Sequence, residues 1–224
     1  MEVIVADLES LGRAIEAGDR ETATRVTRQA VDEGLSPQDI LGAMTRAMSV
    51  IGGRFQRNEI YVPEMLISAR AMKEATAVLE PVLVRAGIRP EYTAVLGTTR
   101  GDLHDIGKNL VAMMWRGANI DVVDLGTNVA PEQFVAAVRA HNADLVGISA
   151  LLTTTMTGMR DAVVALRSAG LPAKVIVGGA PVTAEYAREI GADGYAADAG
   201  SAAEVALSVI GAAPMSPAET PRGA

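Results

Sequence analysis

The chain has 224 residues, 49% hydrophobic, 21% charged and only 3% aromatic, with a formal net charge of −7. That length holds one large domain or two modest ones, and the scarcity of aromatics requires an aliphatic core rich in Ala, Val, Leu, Ile and ten Met. The acidic balance without a Lys/Arg cluster argues against a nucleic-acid partner, and the absence of Cys removes disulfides, Cys-based zinc sites and thiol nucleophiles.

The first residues, MEVIVADLESLG, lack a basic segment ahead of a long apolar run, so they do not read as a signal peptide. No apolar stretch approaches the ~20 residues that span a bilayer. The expectation is a soluble, cytoplasmic protein with no membrane partner.

From Val3 to Val84 the apolar residues recur every three and four positions, the helical period. Helices are predicted near Val5–Ala17 and Arg20–Glu33, the second closed by Gly34. A third opens at Ser36-Pro37, with Ser36 as N-cap, and carries Ile40, Leu41, Met44 and Met48 on one side. Gly52-Gly53 and Asn58 predict a break. A fourth helix starts near Val62-Pro63 and runs to Pro81, carrying Met65, Leu66, Ala69, Met72, Val78 and Leu79. Residues 1–88 therefore read as a bundle of four to five helices.

Arg85–Glu91 reads as a linker, and the rhythm then changes to strand, turn, helix. Strands are predicted at Tyr92–Leu96, Ile120–Leu125, Asp144–Ser149, Lys174–Val177 and Gly194–Ala197, separated by amphipathic segments such as Pro131–Ala140 and Met156–Ala169. Strands apolar on both faces and alternating with helices imply a doubly wound α/β domain over 91–213, with a five-stranded parallel sheet. Such sheets bind ligands at the carboxyl ends of their strands. From Ala212 the chain is rich in Pro, Ala and small polar residues, and 214–224 is expected to be disordered.

The segment where the first strand ends, Gly97–Leu110 (GTTRGDLHDIGKNL), carries the chemistry. It sets one imidazole, His104, between Gly101 and Gly107, with Asp102 two residues before it and Asp105 directly after. A phosphate loop fails, because five residues rather than four separate Gly101 from Gly107 and Asn109 stands where Ser/Thr would hold magnesium. A structural histidine, satisfied by Asp102 or by backbone, stays open on these residues alone. The third option is metal ligation: a neutral imidazole ligates through one nitrogen while a carboxylate orients the other N–H. A site made only of protein groups would need more ligands, yet the chain has one other His and no Cys. A metal that brings its own equatorial nitrogens needs one ligand, which points to a corrin.

Asp102-Leu103-His104-Asp105-Ile106-Gly107 resembles the D-x-H-x-x-G signature of cobalamin-binding domains. Ser149-Ala150-Leu151 resembles the S-x-L element of that family, and Gly178-Gly179 its G-G, each at a successive strand end. Together with GTTRGDLHDIGKNL, the stretches DLVGISALLTTTM and VGGAPVTAEYAREIGADGYAADA resemble corrinoid proteins of methanol, methylamine and aryl-ether methyltransferase systems. The likeness covers nearly the whole chain. It implies a flavodoxin-like, Rossmann-type fold in which His104 replaces the dimethylbenzimidazole of the cofactor below cobalt while the nucleotide tail enters the domain. It further implies that Asp102 bonds His104, that Thr155 extends that chain to solvent, and that Ser149, Leu151 and Thr153 line the tail pocket. Gly178 and Gly179 would let the backbone approach the nucleotide. His104 would bind the methylcobalamin state and loosen in cob(I)alamin, with Asp102 changing proton affinity in step.

The helical half, in GGRFQRNEIYVPEMLISARAMKEATAVLEP, resembles the cap over the corrin in methionine synthase, with Tyr61 facing the methyl group. The implied function is a methyl carrier, a cofactor-bearing subunit rather than a complete catalyst. Its implied partners are a substrate-specific corrinoid methyltransferase, a second methyltransferase acting on tetrahydrofolate or a thiol, and a reductive activase. An adenosylcobalamin mutase subunit needs no helical cap, and a cobalamin-dependent regulator needs a DNA-binding module for which no basic recognition helix is present. Met65 and Met72 read as bundle core, Trp115 as packing, His141 as a surface cation at a helix end, and Glu64 as either a first-turn acid or a contact to the cofactor rim.

Overall fold

The computed structural model of the chain describes residues 6–211. The chain divides into two compact units with the boundary between Arg89 and Pro90. Val5 and the tail from Ala212, for which disorder was expected, lie outside the described residues.

The first unit holds α1 (Leu8–Glu16), α2 (Arg20–Asp32), α3 (Pro37–Gln56) and α4 (Val62–Arg85). Side-chain caps set where two of them start: Asp7 accepts the N–H groups of Glu9 and Ser10, and Asp19 accepts that of Thr22. Ser36 occupies the cap position of α3, but its hydroxyl bonds Gln38 Oε1 and caps nothing. The core is aliphatic as expected, with Leu11, Ile15, Ile40, Met44, Met48, Ile51, Met65 and Leu79 all fully buried and Met72 nearly so.

Two expectations fail here, and for the same reason. The break at Gly52-Gly53 does not occur: α3 runs through both and ends before Asn58, which takes a left-handed φ of 56°. Each glycine costs a helix about 1 kcal/mol, whereas burying each of Met44, Met48 and Ile51 returns about 1.5–3 kcal/mol. Likewise α4 passes Pro81 and ends at Arg85, sacrificing one i→i−4 bond while Leu79 and Leu83 remain buried on either side. Tertiary burial overrides the local breaker in each case.

The second unit alternates β1 (Tyr92–Thr98), α5 (Ile106–Gly117), β2 (Ile120–Asp124), α6 (Pro131–His141), β3 (Leu145–Ser149), a 3-10 turn (Thr153–Thr155), α7 (Met156–Ser168), β4 (Lys174–Gly178), α8 (Ala184–Glu189), β5 (Gly194–Ala196) and α9 (Ala199–Ile210). The five strands are parallel in the order β2-β1-β3-β4-β5. The chain moves from β1 outward to β2 and then returns to the other side as β3, which makes the β1/β3 junction a topological switch point. Register across the sheet brings Thr98, Ser149, Gly178 and Ala196 into one row at the carboxyl ends. The core includes Val95, Val146, Val175, Phe134, Met159 and Leu166.

Trp115 is packing, as expected: it is 1% exposed, and its indole N–H donates to the Ala202 carbonyl. It also crowds the sheet at Gly147, where a Cβ would stand 2.6 Å from the indole ring and 2.5 Å from Leu96. Tighter still is Gly179, with φ +125°, where a Cβ would stand 1.9 Å from the Ala150 carbonyl oxygen. Gly179→Ala therefore combines a backbone clash with a conformation that L-residues avoid, and should cost about 3 kcal/mol or more. Thermal unfolding followed by circular dichroism should register a midpoint lowered by roughly 10 °C.

Candidate functional site

The loop joining β1 to α5 is shaped by its own short-range bonds. Gly101 takes a φ of +84°, which turns the chain so that Asp102 points inward and becomes fully buried. The Thr98 hydroxyl donates to the His104 carbonyl at 2.9 Å, and the Thr99 N–H donates to the Ser149 carbonyl at 3.0 Å. Because the single proton of Thr98 goes to that carbonyl, Ser149 must be the donor in the 2.9 Å contact between the two hydroxyls.

Asp102 gathers donors from two loops. Its Oδ1 accepts the His104 N–H at 3.0 Å and lies 2.7 Å from the imidazole Nδ1. Its Oδ2 accepts the Leu151 N–H at 2.8 Å, the Leu152 N–H at 3.3 Å and the Thr155 hydroxyl at 2.7 Å. Burial by itself pushes this carboxyl up, but the Leu151 N–H, the Thr155 hydroxyl and the N–H and ring of His104 together hold it well below the ordinary carboxylate value. Asp102 is consequently a carboxylate at neutral pH, so the proton between the pair sits on Nδ1. Nε2 has no hydrogen-bonding partner among the described residues. The His104 side chain is 51% exposed.

His104 stands at the edge of a cavity of about 500 Å3 at the carboxyl end of the sheet. Four loops and strand ends contribute to its wall: Leu103 to Lys108, Ile148 to Leu151, Ile176 to Ala180, and Ala196 to Ala199 with Ala202. Leu96, Val111, Trp115 and Gly147 also line it. Polar groups are few, and one of them, Lys108, has its ammonium turned to Asp124 at 2.6 Å. Around His104 the apolar side chains are exposed: Leu103 by 73%, Ile106 by 74%, Leu151 by 43% and Leu152 by 44%. Among the described residues no three His, Cys, Asp or Glu side chains cluster closely enough to hold a metal ion.

The expected site residues fall into three groups. Leu103, His104, Asp105, Ile106, Gly107, Ser149, Leu151, Gly178 and Gly179 all line the cavity, while Asp102 and Thr155 stand behind His104 as a buried relay and Gly101 supplies the turn. Thr153 is exposed in the 3-10 turn and is not part of the cavity wall. The relay ends at Thr155, which is 8% exposed, rather than at an open surface. Tyr61 belongs to the helical unit, where it is 66% exposed at the N-terminus of α4. Glu64 proves to be a first-turn acid whose carboxylate accepts the Tyr61 N–H at 3.1 Å, and His141 is an exposed last residue of α6.

The glycine pair is also required by the fold itself. A Cβ at Gly178 would meet the Ala196 carbonyl at 2.8 Å and one at Gly179 the Ala150 carbonyl, so the chain's own backbone already demands glycine at both positions. Gly107, by contrast, has open space where a Cβ would stand. Sequence reasoning missed Thr98, the Lys108–Asp124 pair and Asn128. The one local signal for Asn128 was an Asn ahead of Val-Ala-Pro in a strand-to-helix loop, a residue that tolerates left-handed backbone.

Comparison with known proteins bears on this architecture directly. A family model described as a B12 binding domain matches residues 92–207, the α/β unit, and a second of the same description matches residues 7–80, the helical unit. The chain belongs to the B12-binding domain family. A corrinoid protein of Desulfitobacterium hafniense is 38% identical over 93% of this chain and 100% of its own length. A monomethylamine corrinoid protein of Methanosarcina acetivorans is 37% identical over 90% of this chain and 96% of its own. Among solved structures, the methanol:cobalamin methyltransferase complex of Methanosarcina barkeri aligns with a TM-score of 0.80 at 28% identity, covering 92% of this chain and 81% of the matched one. A cobalamin-binding protein of D. hafniense aligns with a TM-score of 0.78 at 28% identity, over 91% and 98%. The fold class and the cobalamin cofactor expected from the sequence are those of this B12-binding family. No helix among the described residues is long and apolar enough to cross a membrane.

Within this B12-binding domain the depressed carboxyl of Asp102 links folding to pH. A group whose folded value lies below its unfolded one contributes stability above the unfolded value and loses it as pH falls towards the folded one. The difference in urea-unfolding free energy between the wild type and Asp102→Asn should therefore be largest near neutrality. It should shrink as pH drops below about 4, the unfolded aspartate value.

Proposed function

We propose that this chain is the methyl-carrying corrinoid subunit of a methyltransferase system, with His104 Nε2 as the single protein ligand to cobalt. The observation that carries the reading is the His104–Asp102–Thr155 relay: a ring held by a buried carboxylate, with its other nitrogen unbonded beside an apolar cavity. A corrin would supply its own nitrogen ligands, so one imidazole from the protein, His104, would suffice in place of a cluster. The exposed Leu103, Ile106, Leu151 and Leu152 around His104 suit a broad apolar macrocycle, and the cavity behind them suits a nucleotide tail.

When bound, the corrin supplies a cobalt that takes up a methyl group and gives it up again. The chain's own part is to hold and orient. Asp102 keeps Nδ1 protonated and the ring fixed, which preserves Nε2 as an electron-pair donor and raises its basicity. Thr155 and the Leu151 N–H satisfy the remaining carboxylate lone pairs, so a buried charge is compensated rather than exposed. Ser149, Gly178, Gly179, Ala196, Ala197 and Ala199 form walls of the tail cavity with small side chains. For the helical unit, α1 to α4, we propose the role of a cap that excludes water from the methyl group, with Tyr61 as the aromatic contact.

The donor side is a substrate-specific methyltransferase and the acceptor side a second one acting on tetrahydrofolate or a thiol, with a reductive activase to restore the carrier. Relatives named as methylamine corrinoid proteins and a solved methanol:cobalamin methyltransferase complex support a methyltransferase partner. Purified protein reconstituted with hydroxocobalamin should retain the corrin through gel filtration, and His104→Ala should change its visible spectrum. Loaded with a radiolabelled methyl group, it should pass label to a thiol or to tetrahydrofolate only when a methyltransferase is added. A spectrum unaltered by His104→Ala would remove the axial role, and failure of transfer with every such enzyme would remove the carrier role.

A further inference from the structure

The loop carrying His104 is tied down on both flanks by one stretch, the last residue of β2 and the segment that follows it. Residues 125–129 run beside the end of β1: the Leu125 N–H donates to Leu96 at 2.8 Å, the Thr98 N–H to Gly126 at 2.9 Å and the Val129 N–H to Thr98 at 2.9 Å. Past the strand the contact continues onto the His loop itself. Asn128 adopts left-handed backbone with φ 54°, its N–H donates to the Asp102 carbonyl at 2.9 Å, and its Oδ1 accepts the Gly101 N–H at 2.8 Å. These two bonds bracket the Gly101–Asp102 peptide, just ahead of the ligand.

The other flank is held by charge. Lys108 is four residues past His104 and 3% exposed, and its ammonium reaches Asp124 Oδ1 at 2.8 Å, Asp124 Oδ2 at 2.6 Å and Asn109 Oδ1 at 2.7 Å. Those three contacts match its three protons. Asp124 is itself oriented by the Gly126 N–H at 2.9 Å. Asn109 bonds Asp105 at 3.0 Å, so the network reaches the residue adjoining His104.

We infer that Asn128 and the Lys108–Asp124 pair are positioning residues that set where the His104 imidazole stands, and hence how firmly it holds cobalt. The inference rests on the reading of His104 as axial ligand. Its physical basis is a division of constraints. The Asp102–Nδ1 bond fixes how the ring is turned, but it cannot fix the backbone that carries the ring. A ligand must be held to within about 0.5 Å to keep its bond. Gly101 leaves the backbone at the start of this loop free to adopt other conformations, and Asn128 and the β2 end residue Asp124 remove that freedom at the two ends.

Asn128→Gly tolerates the left-handed backbone and keeps the main-chain donor while removing the Oδ1 acceptor and loosening the segment. Asn128→Asp restores an acceptor, and Lys108→Met breaks the second anchor. Each variant is reconstituted with hydroxocobalamin, its visible spectrum is recorded against those of wild type and His104→Ala, and the thermal midpoint of the corrin-free protein is measured. Asn128→Gly should lower the ratio of histidine-ligated to unligated corrin about fivefold, the worth of one neutral hydrogen bond. Asn128→Asp should match wild type, and Lys108→Met should shift the spectrum in the same direction as Asn128→Gly. If Lys108→Met does not fold, Asp124→Asn, which keeps shape and one acceptor, provides the same comparison. A lowered thermal midpoint with a wild-type spectrum in Asn128→Gly and in the anchor variant would make these residues scaffold only and overturn the inference. Should His104→Ala itself leave the spectrum unchanged, the axial reading falls and this inference with it. A changed His104→Ala spectrum beside an unchanged Asn128→Gly spectrum overturns the positioning role alone.

Discussion

The buried carboxylate of Asp102 is the constraint on which the site depends. A charge removed from water is tolerable only when donors surround it, and each hydrogen bond to a charged group contributes about 1.5–3 kcal/mol. The donors to Asp102 come from two places far apart in sequence, His104 beside it and Leu151, Leu152 and Thr155 some fifty residues on. Satisfying one carboxylate thus draws the β1 and β3 loops together at the point where the sheet changes direction. The imidazole is a beneficiary of that arrangement: the proton on its Nδ1 and the orientation of its ring follow from a carboxylate that stays ionised.

The sheet does the complementary work of leaving room. Because β1 leads outward to β2 and the chain returns to build β3, β4 and β5 on the other side, the loops at the carboxyl ends splay apart there. Small residues keep the gap open: Ala150, Ala180, Ala196, Ala197, Ala199 and Ala202 all line it. The scarcity of aromatic residues noted in the composition has a counterpart here, since a wall of larger side chains would fill the space. Trp115 is the exception, lodged against Gly147 and anchored to the Ala202 carbonyl.

Much of the fold was legible because it rests on local rules. The helical period of the first unit, the strand-helix alternation of the second and the left-handed glycines at helix ends each come from interactions within a few residues. The departures share one cause. Gly52-Gly53 and Pro81 are local breakers inside helices whose flanking residues are buried, and a local rule does not register how much burial a continued helix gains. Ser36 shows the opposite limit: the right residue stands at the cap position, yet its hydroxyl bonds Gln38.

The sequence by itself determined that His104 is a lone imidazole in a Gly-flanked loop at a strand end, with a carboxylate two residues away and only one other His and no Cys in the chain. Those facts depend on identity and spacing, and spacing of two to seven residues is a short-range quantity. Only the tertiary structure decided which groups surround that carboxylate, why Gly178 and Gly179 must be glycine, and that Asn128 and Asp124 grip the two flanks of the loop. Each of these joins residues 16 to 53 positions apart across neighbouring strand ends. No periodicity records such partners, because strand order and register, rather than distance along the chain, determine which loop ends become neighbours.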